Sequence, residues 1–130
     1  MPLLKLPDDL LEKAWAIRHH AFVIGPTKVG CCILAESGNI YSGCNVEHRY
    51  RSHDVHAEVN AITNMIAAGD RKIVAVAIAA ERERFTPCGA CLDWIFQFAD
   101  PETCEVYCQS TPNGAVLRYR LGDLMPFYPR

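Results

Sequence analysis

Two short runs in this sequence carry side chains suited to holding a metal ion: His56-Ala57-Glu58 and Pro87-Cys88-Gly89-Ala90-Cys91. Cys88 and Cys91 are spaced i, i+3, so at a helix start both sulfurs face one side of the first turn. A helix N-terminus also lowers a thiol pKa, and the thiolate is the form that binds metal. One imidazole nitrogen and two thiolates supply three corners of a tetrahedron. That soft donor set suits zinc, and a fourth corner left to water marks a catalytic site. Glu58 separates catalysis from structure. Two residues after His56, its carboxylate reaches a water in the open position. Zinc brings the pKa of such a water from about 15.7 to about 7, worth on the order of 12 kcal/mol. Glu58 then accepts the proton and can return it to a ring nitrogen and a departing amine. A purely structural zinc needs a fourth protein ligand, for which His48, His53 or a distant cysteine are the nearest candidates.

These side chains require two helix starts brought together at one sheet edge. The pattern predicts a first helix over residues 8–20, with Asp8 and Asp9 at its start and an apolar stripe of Leu10, Leu11, Ala14 and Ile17. His19 and His20 fall in its last turn, where a cation is favoured by the helix dipole. After the break at Gly25-Pro26, residues 29–35 and 39–45 read as strands joined by the hairpin signal Glu36-Ser37-Gly38-Asn39. Residues 46–55 have no clean period and read as a loop. From His56 the pattern turns helical, with Val59, Ile62, Met65 and Ile66 on one face and Gly69 as terminator. Residues 73–80 form a β-branched and alanine run, as in a strand buried on both faces. Thr86-Pro87 reads as an N-cap followed by proline at the first helical position, opening a helix over 87–99 that buries Ile95, Phe96 and either Trp94 or Phe98. Residues 105–109 and 116–120 are two further strands about the turn at Thr111-Pro112-Asn113-Gly114, and a short tail closes the chain. The order predicts a three-layer α/β/α sandwich whose mixed sheet has about five strands, with parallel pairing for the later ones.

With 130 residues, half of them apolar and a formal net charge of −2, the chain fits one domain over residues 1–130. That charge disfavours a polynucleotide partner, which phosphate contacts would ordinarily match with a basic surface. No apolar run approaches the ~20 residues needed to span a bilayer, and Met1-Pro2-Leu3-Leu4-Lys5 opens no signal-peptide pattern. The expectation is a protein of the cytoplasm, with no membrane partner. Seven cysteines, an odd number including one Cys-x-x-Cys, point to reduced thiols and a metal site rather than disulfides. Cys31, Cys32, Cys44, Cys104 and Cys108 lie in apolar strands and read as small buried hydrophobes.

His-x-Glu followed by Pro-Cys-x-x-Cys, with a strand between, is the signature of the zinc nucleobase deaminases. Within them the chain resembles the cytidine deaminase family in its short form, from about Lys28 to Phe127. Val29-Gly30-Cys31-Cys32-Ile33-Leu34 resembles the family's first strand. Gly38-Asn39-Ile40-Tyr41-Ser42-Gly43-Cys44-Asn45-Val46-Glu47 resembles its second strand and nucleoside-binding end. Pro87-Cys88-Gly89-Ala90-Cys91 and the tail Leu121-Gly122-Asp123-Leu124-Met125-Pro126-Phe127 are likewise similar. The resemblance implies zinc on His56, Cys88 and Cys91, with Glu58 as the catalytic proton carrier. Asn45 and Glu47 would hold the ribose hydroxyls, with Ala57 and Phe127 also against the substrate. It further implies a homo-oligomer, tetramer or dimer, with Phe127 or Tyr128 reaching a neighbouring active site. The implied reaction is hydrolytic deamination of a cytosine nucleoside to the uracil nucleoside and ammonia, as in pyrimidine salvage.

Three departures bear on the substrate. The short tetrameric members open the metal helix with Cys-Ala-Glu-Arg, where this chain has His56-Ala57-Glu58-Val59. Three thiolates leave zinc with a net −1 that the arginine offsets; one imidazole and two thiolates leave zero, so Val59 is electrostatically consistent. The aromatic that packs on the base is missing near Thr27, leaving Phe22, Phe85 or a tail aromatic to replace it. The loop 46–55 carries His48, Arg49, Arg51 and His53 and is more basic than a plain nucleoside pocket needs. A blasticidin S-type deaminase, acting on a cytosine-bearing antibiotic, fits the last two features. A non-catalytic zinc domain is the alternative of another class.

Overall fold

The computed structural model describes residues 4–129; Met1, Pro2, Leu3 and Arg130, at the ends of the expected domain, lie outside the described residues. In chain order the elements are α1 (Asp8–Arg18), β1 (Val29–Ala35), β2 (Ile40–Cys44), α2 (Ala57–Ala67), β3 (Ile73–Ala80), α3 (Gly89–Phe98), β4 (Glu105–Gln109), β5 (Val116–Arg120) and α4 (Leu121–Leu124), with a 3-10 turn at Arg51–His53. The strands form one five-stranded mixed sheet in the order β2-β1-β3-β4-β5. β3 and β4 pair in parallel across α3, as expected for strands separated by a helix. β4 and β5 share a turn and are antiparallel. β2 and β3, connected through α2, do not pair, because β1 lies between them and is antiparallel to both.

Strand alternation builds the two covering layers. Along β3, Ala75, Ala77 and Ala79 face α1, whereas Val76, Ile78 and Ala80 face α2 and α3. The alanine face lets α1 lie close, with Leu10, Leu11 and Ala14 packed on Cys32 and Tyr107 as well. The branched face forms the larger core with Ile33, Ile62, Met65, Ile95 and Val106, each fully buried. Burial of one such side chain is worth about 1.5–3 kcal/mol, so this layer fixes where α2 and α3 begin. Gly43 in β2 sets the approach of α2: a Cβ there would lie 2.4 Å from the Ala61 nitrogen and 2.8 Å from the Ala57 oxygen. Asn60 and Asn64 of α2 then bond the β2 backbone, through Cys44 N–H (3.0 Å) and the Ser42 carbonyl (2.9 Å). At the other end of α2, Gly69 has φ +102°. Its N–H bonds the Ile66 carbonyl and that of Asp70 the Met65 carbonyl, the paired contacts of a Schellman terminus.

Several boundaries differ from the sequence expectation. α3 begins at Gly89, not Pro87, because its N-cap is Cys88 in an extended conformation (φ −67°, ψ 168°). α1 ends at Arg18, with His19 as C-cap and His20 in the following turn. Trp94 is 40% exposed, and Phe98 instead packs against the core. The tail opens with α4, and the loop 46–55 is held by Val46 bridging both Phe22 and Val55.

Candidate active site

The two helix starts converge. His56 is the N-cap of α2 and Cys88 the N-cap of α3, and neither makes a side-chain cap bond to its own helix. Their side chains turn toward each other instead. His56 Nδ1 lies 3.2 Å from Cys91 Sγ and 3.4 Å from Cys88 Sγ. The three ligand atoms all fall within 4.8 Å of one another, and among the described residues no further His, Cys, Asp or Glu joins that group. Tetrahedral zinc with bonds of ~2.0 Å to nitrogen and ~2.3 Å to sulfur separates N from S by about 3.5 Å and S from S by about 3.8 Å. The donor set therefore fits zinc in both chemistry and spacing, with one coordination position left over. His48 and His53, the candidate fourth ligands, instead pack on each other and on Tyr50, with ring centroids 5.0 to 6.0 Å apart.

Glu58, in the first turn of α2, is only 6% exposed. Burial pushes its carboxyl above the usual range; its own backbone amide, the Cys91 thiol and the charges of His56 and Arg82 act the other way. Burial likewise raises the Cys91 thiol, helped by the negative charge of Glu58 and by Cys88. A divalent cation on these ligands would invert that balance, since a coordinating thiol is deprotonated. The remaining cysteines lie outside the ligand group. Burial pushes Cys32, Cys104 and Cys108 up to about 12 and raises Cys31 and Cys44, and none is in a disulfide.

Beside the ligands is a cavity of about 190 Å³, lined by His56, Ala57, Glu58 and Cys88 and by Asn45, Glu47, Arg51 and Asp54. Asn45 is 8% exposed, and both ends of its amide are used: Oδ1 accepts Val29 N–H at 2.8 Å and Nδ2 donates to the Thr27 carbonyl at 3.0 Å. Glu47 Oε1 accepts the N–H groups of Ile24 (2.7 Å) and Gly25 (2.8 Å), and Oε2 pairs with Arg51 at 3.1 Å. The Gly25 and Ile24 amides, with Arg51, hold Glu47 below the usual carboxylate range. Arg51 also bonds Asp54 at 2.8 Å. Of the aromatic candidates, Phe85 lines the cavity; Phe22 is 63% exposed and Phe127 95% exposed, and both lie outside it. Arg51, Asp54, Val55, Arg82 and Thr86 also line the cavity without having been singled out as site residues. Only the basic character of the 46–55 loop pointed toward any of them.

The family model for the cytidine and deoxycytidylate deaminase zinc-binding region matches residues 5–109. A cytidine deaminase of Sporosarcina psychrophila is 35% identical over 95 residues, covering 72% of this chain and 70% of the relative. One of Halalkalibacterium halodurans is 28% identical over 119 residues, covering 90% and 89%. The crystal structure of a cytidine deaminase from Burkholderia pseudomallei superposes with a TM-score of 0.85 at 31% identity, covering 95% of this chain and 98% of that one. The α/β fold with its mixed five-stranded sheet is thus shared with that cytidine deaminase. This chain belongs to the cytidine and deoxycytidylate deaminase family.

Proposed function

We propose that the protein hydrolyses the exocyclic C–N bond of a cytosine nucleoside, taking up water and releasing the uracil nucleoside and ammonia. The observation that carries this reading is the buried Glu58 carboxyl beside a three-donor His56/Cys88/Cys91 set in one cavity. Zinc held by those three residues supplies Lewis-acid activation of a water. Glu58 would accept the first proton of that water and pass it to the ring nitrogen. It would then take the second proton from the hydroxyl added to the ring carbon and deliver it to the departing amine. Burial raises the carboxyl above its ordinary range, the direction that lets a carboxylate hold a proton between transfers. Ala57, between ligand and acid on the same turn, borders the base; Phe85 supplies the aromatic wall.

Asn45 and Glu47 carry the sugar. Glu47 has acceptor capacity beyond its two amide bonds and its arginine, since a carboxylate offers about four lone-pair sites. Among the lining residues beyond the ligands and Glu58, two carboxylates, Glu47 and Asp54, stand with two guanidiniums, Arg51 and Arg82, and Arg51 is already paired to both carboxylates. That balance supports a neutral sugar hydroxyl over a phosphate, and so a nucleoside over deoxycytidylate or a nucleic-acid strand.

We further read residues 1–130 as one domain working as a homo-oligomer, dimer or tetramer, in the cytoplasm and in pyrimidine salvage. Among the described residues no helix is long and apolar enough to cross a membrane. The exposed Phe127 on the tail suits contact with a neighbouring copy's pocket. The test is ammonia release from cytidine, deoxycytidine, cytosine, blasticidin S, deoxycytidylate and guanine with zinc-loaded protein. The two nucleosides are expected to lead. A preference for deoxycytidylate or blasticidin S would refute the substrate assignment, and no release from any of them would refute the reaction.

A further inference from the structure

Two adjoining walls of the cavity come from the start of β1, through Thr27 and Val29, and the end of β3, through Ala80 and Arg82, with Val29 paired to Ala80 in the sheet. Arg18, the last residue of α1, touches both. Its Nε–H donates to the Lys28 carbonyl at 3.1 Å, and its Nη2 pairs with Glu81 Oε1 at 3.4 Å. Lys28 stands between the two lining residues of the first wall and Glu81 between those of the second. The guanidinium carbon is also 5.3 Å from the Trp15 ring centroid. Trp15 is in turn fixed by its Nε1–H bond to Gln109 at 2.7 Å. Gly30 gives the helix room: a Cβ there would meet Arg18 Cβ at 2.9 Å and the Ala14 carbonyl oxygen at 1.9 Å. The Arg18 side chain is therefore only 14% exposed, wedged between α1 and the sheet.

The entry to β1 is thus held at three consecutive residues. Asn45 holds the Thr27 carbonyl and the Val29 N–H, while Arg18 holds the carbonyl of Lys28 between them. We propose that Arg18 is a positioning residue, which fixes the 27–29 segment that holds Asn45. This role rests on the deaminase reading, in which Asn45 contacts the sugar. Arg18 contacts none of His56, Glu58, Cys88 or Cys91 through its hydrogen bonds or ion pair. Its loss should therefore weaken substrate binding while sparing the chemical step and the metal.

The test is Arg18→Met, which keeps the apolar stem and removes every donor. With cytidine as substrate the expected result is a KM raised about tenfold at near-unchanged kcat and full zinc content, below the ~10²-fold loss that an ångström of misplacement can cause. Arg18→Lys should recover part of the loss, and Glu81→Gln, which removes only an exposed partner, should change KM less than about twofold. Hydrogen exchange at the Val29 amide needs no turnover, and protection there should fall in Arg18→Met but not in Glu81→Gln. Inactive wild-type protein would overturn the deaminase reading alone, leaving exchange to judge Arg18. Unchanged Val29 protection, an unchanged KM with active enzyme, or a kcat loss with zinc loss would each overturn the positioning role. If Arg18→Met does not fold, Arg18→Lys must show the same KM and exchange changes in milder form, and wild-type behaviour in it would overturn the proposal.

Discussion

Replacing Glu58 with glutamine separates the proton carrier from the metal site. The amide keeps the shape of the buried side chain but accepts no proton at neutral pH. One general acid–base step contributes about 10²–10⁴-fold, and a residue serving successive transfers falls at or above the upper end. A 10⁴-fold loss corresponds to about 5.4 kcal/mol of transition-state stabilisation. The fold should move the other way. Burial holds the Glu58 carboxyl above its ordinary range, so the ionised form opposes folding as pH rises through the raised pKa. A neutral amide removes that opposition, and glutamine at position 58 should be at least as heat-stable as the parent near pH 7. His56→Ala should instead lose zinc and turnover together. Ammonia release, zinc content and thermal unfolding on both variants form the assay. Turnover within tenfold of the parent in Glu58→Gln would refute Glu58 as the proton carrier. Zinc loss in that variant would make Glu58 part of the coordination shell.

Gly43→Ala should destabilise the protein by about 1–3 kcal/mol or more, since the new methyl meets the α2 backbone rather than a side chain that can turn away. Because α2 carries His56 and Glu58, its kcat should fall as well; a thermal melt and an ammonia assay check both. Asp70 accepts hydrogen bonds from Tyr41, Ser37 and Asn39, which hold its carboxyl below the usual range. That stability is present above the unfolded pKa of about 3.9 and is lost as pH falls through the lower folded value. Asp70→Asn should therefore flatten the decline of Tm with pH below about 4, and an unchanged profile would show that the cluster adds nothing. Phe127→Ala should weaken oligomerisation or raise KM, read by light scattering and steady-state kinetics; no change in either would remove the tail from the site.

The sequence showed the metal set plainly because three ligands and one acid have a chemistry that few spacings satisfy. It placed β1, β3, β4 and β5 at their observed bounds because alternation and turn chemistry act locally. It misplaced the start of α3 for a physical reason. Thr86-Pro87 satisfies the local rules for a helix start, but Cys88 remains extended and itself forms the cap. The sugar contacts proposed for Asn45 and Glu47 rested on resemblance alone, since the contacts of Glu47 with Ile24, Gly25 and Arg51 join segments without local periodicity. Arg18 was illegible altogether. A basic residue in the last turn of a helix reads as complementing the dipole, and nothing local says that it grips Lys28 and Glu81.

The two helix starts show how folding and function share one arrangement. A side-chain N-cap typically stabilises a helix by about 1 kcal/mol. At α2 and α3 the cap positions hold His56 and Cys88, which make no such bond. Local stability is forgone twice at the same place, and the core under Ile62 and Ile95 keeps both helices despite it. Both helix starts aim their N–H groups and dipoles at this one corner, where they would offset the negative charge of metal-bound thiolates. Metal binding then returns stability to both helices at once, which links zinc occupancy to the folding of the site it serves. Glu58, in the first turn of α2, touches Cys91 and shares the cavity with His56 and Cys88, so the acid sits beside the ligands without being one of the three-donor group.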